Sequence, residues 1–100
     1  MPITATSGTD AVTIAISGRF DFNQNEAFRR SYETQPAGTR FVVDLARVQY
    51  VDSSALGMLL LLRRHAGNTK EGVSLINASR DVSRVLEIAK FHQMFTVSPT

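Results

Sequence analysis

The 100-residue chain has no cysteine. That excludes disulfides, thiolate chemistry and cysteine-ligated metals. It also lacks any long apolar run. The longest, "ALGMLLLL" at 55–62, falls far short of the roughly 20 residues that span a bilayer, so no membrane insertion is expected. The opening "MPITATSGTD" has neither a basic stretch nor an apolar stretch and does not read as a signal peptide. No excess of one charge is concentrated anywhere. Eleven basic residues face nine acidic ones, and the only adjacent basic pairs are Arg29–Arg30 and Arg63–Arg64. Nucleic-acid binders gather such charge into a patch, so no direct nucleic-acid partner is expected. Repeats, low-complexity tracts and linkers are absent. The expectation is one soluble, cytoplasmic domain over 1–100, with hydrophobic content (43%) high enough for a core.

Histidine is scarce as well. A hydrolytic site needs a nucleophile, a base and an orienting group. The two histidines are His65 and His92. His65 lies about 18 Å down a helix from Ser53 at ~1.5 Å per residue, too far to activate it. Asp21, Asp44 and Asp52 come from different elements without ligand spacing, and Asp44 reads as a turn former. No enzymatic activity, resident metal or cofactor is expected.

What is present alternates between strand and helix. A short strand is expected around Ile3–Thr6, with "SGTD" as a turn. "AVTIAISG" (11–18) alternates Val12, Ile14 and Ile16 with small or polar residues, the two-residue period of a strand. "FNQNEAFRRSYETQ" (22–35) reads as a helix capped by Asn23 or Asn25, with Phe28 and Tyr32 on its apolar side. "RFVVDL" (40–45) is a continuous apolar run, expected to be a strand buried on both faces. A helix from Asp52 to about Ala66 follows, closed by Gly67. "VSLIN" (73–77) is a strand and "SRDVSRVLEIAK" (79–90) an amphipathic helix capped by Ser79 or Asp81. "MFTV" (94–97) closes the chain as a strand. The order ββαβαβαβ predicts an α/β fold: a mixed, mostly parallel sheet with helices packed against it.

The stretch "VDSSALG" (51–57) joins strand to helix. At about 100° per residue, Ala55, Met58, Leu59, Leu62 and Ala66 form a core face, extended by Leu56 and Leu60. Ser54, Gly57, Leu61 and Arg64 make an opposite stripe, with Ser53 at its edge. Gly57 costs roughly 1 kcal/mol in a helix interior, and a flat patch for another chain would offset that. Serine and aspartate are preferred helix caps, so capping alone accounts for the serines. A phosphorylation switch is the sharper reading. A helix start exposes the hydroxyl and favours an anion, and a phosphate there adds about −1.5 to −2 charges in the patch.

Three blocks resemble the STAS domain, specifically stand-alone anti-sigma factor antagonists (anti-anti-sigma factors). These are "ISGRFDF" (16–22), "FVVDLARVQYVDSSALGMLL" (41–60) and "VSLINASRDVSRVLEIAKFHQMF" (73–95). The middle block resembles the family's strand, Asp-Leu-x-x-Val and Asp-Ser-Ser-Gly-Leu-Gly. The resemblance implies binding to an anti-sigma factor that is also a serine kinase of the GHKL type. That kinase phosphorylates the first serine of the motif, here Ser53, and so breaks the complex. A PP2C-type phosphatase reverses the modification. Ser54 is the alternative acceptor. Asp21 and Asp52 match the family's acidic positions beside that serine. Two departures stand out: Ala55 where glycine is usual, and Phe20 where leucine is usual. The same fold also resembles regulatory subunits of ABC-type lipid transport systems, which would set the same helix against an ATPase.

Overall fold

The computed structural model describes residues 3–98. It contains β1 (Ile3–Ser7), β2 (Val12–Phe20), α1 (Asn25–Arg30), β3 (Phe41–Val51), α2 (Ser53–His65), β4 (Val73–Ile76), α3 (Arg80–Ile88) and β5 (Thr96–Val97). The five strands form one sheet in the order β1-β2-β3-β4-β5. β1 runs antiparallel to β2; every other neighbouring pair is parallel. Each parallel connection therefore steps one strand along in the same direction. Right-handed crossovers then bring all three helices to one face of the sheet.

Burial follows that one-sidedness. Val12, Ile14 and Ile16 of β2 and Phe41, Val43 and Leu45 of β3 are buried under the helices. They form one core with Phe28, Met58, Leu59, Leu62, Val82 and Leu86 from the helices. The alternate residues are only half-buried. This corrects the expectation that 40–45 is covered on both faces: Val42 and Asp44 lie on a side that carries no helix. Asp44 sits there because its Oδ1 accepts hydrogen bonds from the Ala46 N–H at 3.0 Å and from Asn77 Nδ2 at 3.2 Å.

Three boundaries differ from the sequence reading. β3 runs six residues past Leu45, to Val51. Its pairing with β2 is interrupted between Ala15 and Ser17 and again between Gly18 and Arg19, where β3 carries extra residues. Such bulges break the two-residue period that marks a strand. Gly18, at φ +80°, supplies the left-handed backbone at the second interruption. The expected helix 22–35 is shorter. It begins as a 3-10 turn, Phe22–Gln24, and the α-helix ends at Arg30, with Tyr32 in the following turn. Asp21 caps that first turn, in place of Asn23 or Asn25. β5 is only Thr96–Val97, because Phe91–Gln93 form another 3-10 turn.

Other expectations hold. Gly67 closes α2 at φ +103°, with its N–H on the Arg64 carbonyl at 3.2 Å and the Asn68 N–H on that of Arg63 at 2.9 Å. This is the paired bonding of a Schellman end. Ser79 caps α3 by accepting the Val82 N–H at 3.2 Å. Behind α1, Phe20, Phe28, Tyr32 and Phe41 form a chain of ring contacts with centroids 5.1–6.1 Å apart.

Candidate functional site

Asp21, Asp52, Ser53 and Ser54 gather at the C-terminal ends of β2 and β3, while Gly57, Leu61 and Arg64 follow along α2. Phe20 and Val51 are Cα partners in the parallel ladder. Asp21 and Asp52 therefore leave the sheet side by side. Both have extended backbones, and each carboxylate turns forward to cap the helical turn that follows. Asp21 Oδ1 accepts the Asn23 N–H at 3.0 Å and Asp52 Oδ1 accepts the Ala55 N–H at 2.9 Å. The second oxygen of Asp21 faces Arg19 Nε at 3.3 Å, and the Arg19 guanidinium lies 4.1 Å from the centre of the Tyr50 ring.

Because Asp52 is the cap, neither serine is needed for it. Among the described residues, the Ser53 and Ser54 hydroxyls make no hydrogen bond within the chain, whereas those of Ser31, Ser79 and Ser83 do. Both serines stand in the first turn, where backbone N–H groups precede the first i→i−4 bond, from Leu56 to the Asp52 carbonyl. Ser53 is exposed and Ser54 half-buried.

The exposed stripe of α2 is rotated slightly from the expected one. Ser53, Gly57, Leu60 and Arg64 fall within roughly 60° of each other at about 100° per residue, and all four are exposed. Leu61 flanks them. Ser53 is thus central to the stripe and not at its edge, while Ser54 is at its margin, on the side of His65. Leu60, assigned to the core face, is instead 40% exposed beside Leu61 at 52%. It points away from the buried arc of Ala55, Met58, Leu59 and Leu62. Ala55 itself is fully buried. A Cβ built on Gly57 would meet nothing within 4 Å, so no contact in the fold demands a glycine there.

Two aromatic residues at this end were not identified from sequence. Phe22, 67% exposed, follows Asp21 just as Ser53 follows Asp52. Tyr50 is 42% exposed at the end of β3. In a continuing strand Phe20 and Phe22 of "GRFDF" would share a face; the chain leaves the sheet at Asp21 for a 3-10 turn, so Phe20 enters the core and Phe22 does not.

The histidines lie elsewhere. His65 is at the far end of α2, its Nε2–H donating to the Gln35 carbonyl at 2.7 Å, with its ring 5.2 Å from that of Tyr32. His92 is exposed in the 3-10 turn after α3. Among the described residues no group of three His, Cys, Asp or Glu could hold a metal ion. None of their helices is long and apolar enough to cross a membrane. Hollows of about 370 and 450 Å³ lie on the uncovered sheet face and between α3 and β5; neither is lined by Ser53, Ser54, Gly57 or Leu61. The stripe is an open surface of hydroxyl, glycine and leucine, a shape suited to another protein.

Comparison with known proteins places the fold. Residues 3–97 match the family model described as "Mlab, STAS domain". A STAS-domain containing protein of Pseudomonas aeruginosa (strain UCBPP-PA14) is 48% identical over 101 residues, covering 98% of this chain and all of that one. Among solved structures, the anti-sigma factor antagonist SpoIIAA in its unphosphorylated form superposes with a TM-score of 0.75 at 20% identity, over 98% of this chain and 88% of that one. An anti-sigma factor antagonist from Mycobacterium paratuberculosis gives 0.80 at 18%, over 98% and 85%. At those identities the likeness is one of fold.

Proposed function

The chain belongs to the STAS domain family, and from that premise we propose that it is an anti-sigma factor antagonist controlled by phosphorylation of Ser53. In its unmodified form it binds an anti-sigma factor that is also a GHKL-type serine kinase. Phosphorylation at Ser53 releases that partner, and a PP2C-type phosphatase restores binding. The observation that carries this reading is the unbonded, exposed Ser53 hydroxyl beside a cap supplied by Asp52. A kinase can modify that oxygen without removing any hydrogen bond of the fold. The same exposure and position favour Ser53 over Ser54 as the acceptor.

The electrostatics give the switch its sign. A phosphate on Ser53 lies at a helix start, where free N–H groups and the dipole tolerate an anion. The fold therefore accepts it. The docking surface, comprising Asp21, Asp52, Ser53, Ser54, Gly57, Leu61 and Arg64, does not. About −1.5 to −2 charges beside Asp52 would have to be desolvated against the partner. The switch thus acts on binding and leaves folding alone. The structure of SpoIIAA in a phosphorylated form, TM-score 0.72 to this chain, supports the view that the fold tolerates such a group.

The test uses wild-type protein and Ser53→Asp as baits in extract of the source cells, with phosphopeptide mass spectrometry of the chain isolated from them. A GHKL-type kinase retained by wild type and lost by Ser53→Asp, with phosphate on residue 53, is the expected result. Phosphate on neither Ser53 nor Ser54 refutes the switch. Capture of an ABC-type ATPase in place of the kinase transfers the surface to the transport reading.

A further inference from the structure

The uncovered face of the sheet is built mainly from short and β-branched side chains. The ladder registers place Thr6, Thr13, Val42, Ser74 and Thr96 in one row across all five strands. The next row is Thr4, Ala15, Asp44 and Ile76. These nine positions hold one charge, in a chain that is 20% charged. Their side chains are short or β-branched, so the floor is flat. The solvated face of such a sheet is normally polar; here Ala15, Val42 and Ile76 add apolar area to it.

The charges that are present do not cancel within the chain. Asp44 and Arg47 both line the half-open hollow of about 370 Å³, together with Thr4, Ala15 and Ser17. Among the described residues they form no salt bridge with each other, and the Arg47 guanidinium has no hydrogen bond or ion pair. Asp44 uses only Oδ1, for Ala46 and Asn77. One carboxylate oxygen and one guanidinium remain available side by side on the same open surface.

We propose that this face is a homodimer interface. Two copies stack sheet on sheet about a two-fold axis lying in the interface and crossing the strands between Asp44 and Arg47. A two-fold contact requires a self-complementary surface: if one residue meets a second, the second must meet the first. This surface satisfies that condition. The axis sets Asp44 of each copy against Arg47 of the other, and the hollow receives the incoming guanidinium. Farther out along β3, the same operation carries Val42 and the neutral row of one copy toward Tyr50 and Arg19 of the other. Tyr50 is exposed, with Arg19 stacked on its ring. Its phenol edge and face can cover the flat Thr13–Val42 floor. Strands spaced ~4.8 Å apart give a footprint on the order of 500 Å² per copy, so about 1,000 Å² in all, the low end for a specific interface. The dimer is therefore concentration-dependent. The α2 stripe stays outside it, and each dimer presents two such stripes.

The experiment is sedimentation equilibrium of the full chain from micromolar to millimolar protein, with Arg47→Glu, Val42→Lys and Ala46→Cys. Wild type should move from monomer to dimer over that range. Arg47→Glu reverses two interfacial pairs at once and should raise the dissociation constant by roughly a hundredfold; Val42→Lys should act in the same direction. Both should melt as wild type does. The chain has no cysteine, so Ala46→Cys, beside the axis, should give a disulfide-linked dimer on mild oxidation, while Glu87→Cys on α3 should not. A wild type that stays monomeric overturns the proposal. So does a dimer that Arg47→Glu leaves intact or that Glu87→Cys crosslinks as readily as Ala46→Cys. None of these readouts depends on the partner of α2.

Discussion

Asp21 and Asp52 stand next to each other at the ends of two parallel strands, and each caps the helical turn it introduces. The repetition assigns a job to the aspartates and relieves the serines of it. Asp52→Ala removes the acceptor of the Ala55 N–H and should destabilise the fold by about 1 kcal/mol, within a range of about 0.5–2. Asp52→Asn keeps a capping oxygen and should stay close to wild type. Ser53→Ala removes an unbonded exposed hydroxyl and should change stability by less than about 0.5 kcal/mol. Ser79→Ala, at a genuine cap, should cost what Asp52→Ala does. Urea denaturation of the four variants checks the ordering.

Gly57 gives a second prediction, because stability and binding should move in opposite directions. The position is helical, exposed and empty around its missing Cβ. Gly57→Ala should therefore stabilise the protein by up to about 1 kcal/mol, through helix propensity alone. The added methyl stands in the middle of the proposed docking surface and should weaken capture of the partner. A denaturation curve and a pull-down on the same variant measure both.

How much of this was legible in the sequence depends on where a residue sits relative to solvent. Ile14 announces its strand because one face is buried and the period is two, whereas Val43 announces its strand only through a continuous apolar run, which points to burial on both faces and hides the one-sidedness seen in the fold. The far half of β3 does not announce itself: at Ala46–Arg47 and Gln49–Tyr50 the bulges insert residues that break that period. Helix α2 was legible from its leucines, but not the assignment of Leu60. Four consecutive leucines (59–62) carry no phase information, so only packing decides which of them enter the core. The serine pair was found by motif. That Asp52 does the capping was invisible, since serine and aspartate compete equally for that position.

Tyr32 yields a pH dependence. Its phenol is pushed above the ordinary 10.0 chiefly by burial, with the Arg29 charge opposing and the Glu33 charge adding to the rise. The neutral form is thus favoured in the folded state. The contribution to stability is complete below pH 10.0, where neither state ionises, and is lost as pH climbs through the raised folded value. Phenolate absorbance isolates it in Tyr50→Phe, which leaves Tyr32 as the remaining tyrosine. The native titration should lie above that of the same variant in denaturant. Coincident curves would mean that the ring is not held under α2.

Leu61 and Leu62 are neighbours in sequence with opposite surroundings: one is 52% exposed and the other fully buried. Leu62→Ala should cost about 2–5 kcal/mol, because it opens a cavity beneath α2. Leu61→Glu touches no core contact and should alter stability by about 0.5 kcal/mol or less. Its effect should appear in binding, where a carboxylate replaces an apolar group on the stripe headed by Ser53. Thermal melts and partner capture separate the two. If Leu61→Glu unfolds the protein, the stripe is part of the core and cannot be the docking surface. If it melts normally and still captures the partner, the surface lies elsewhere on the sheet end, with Phe22 the next residue to substitute.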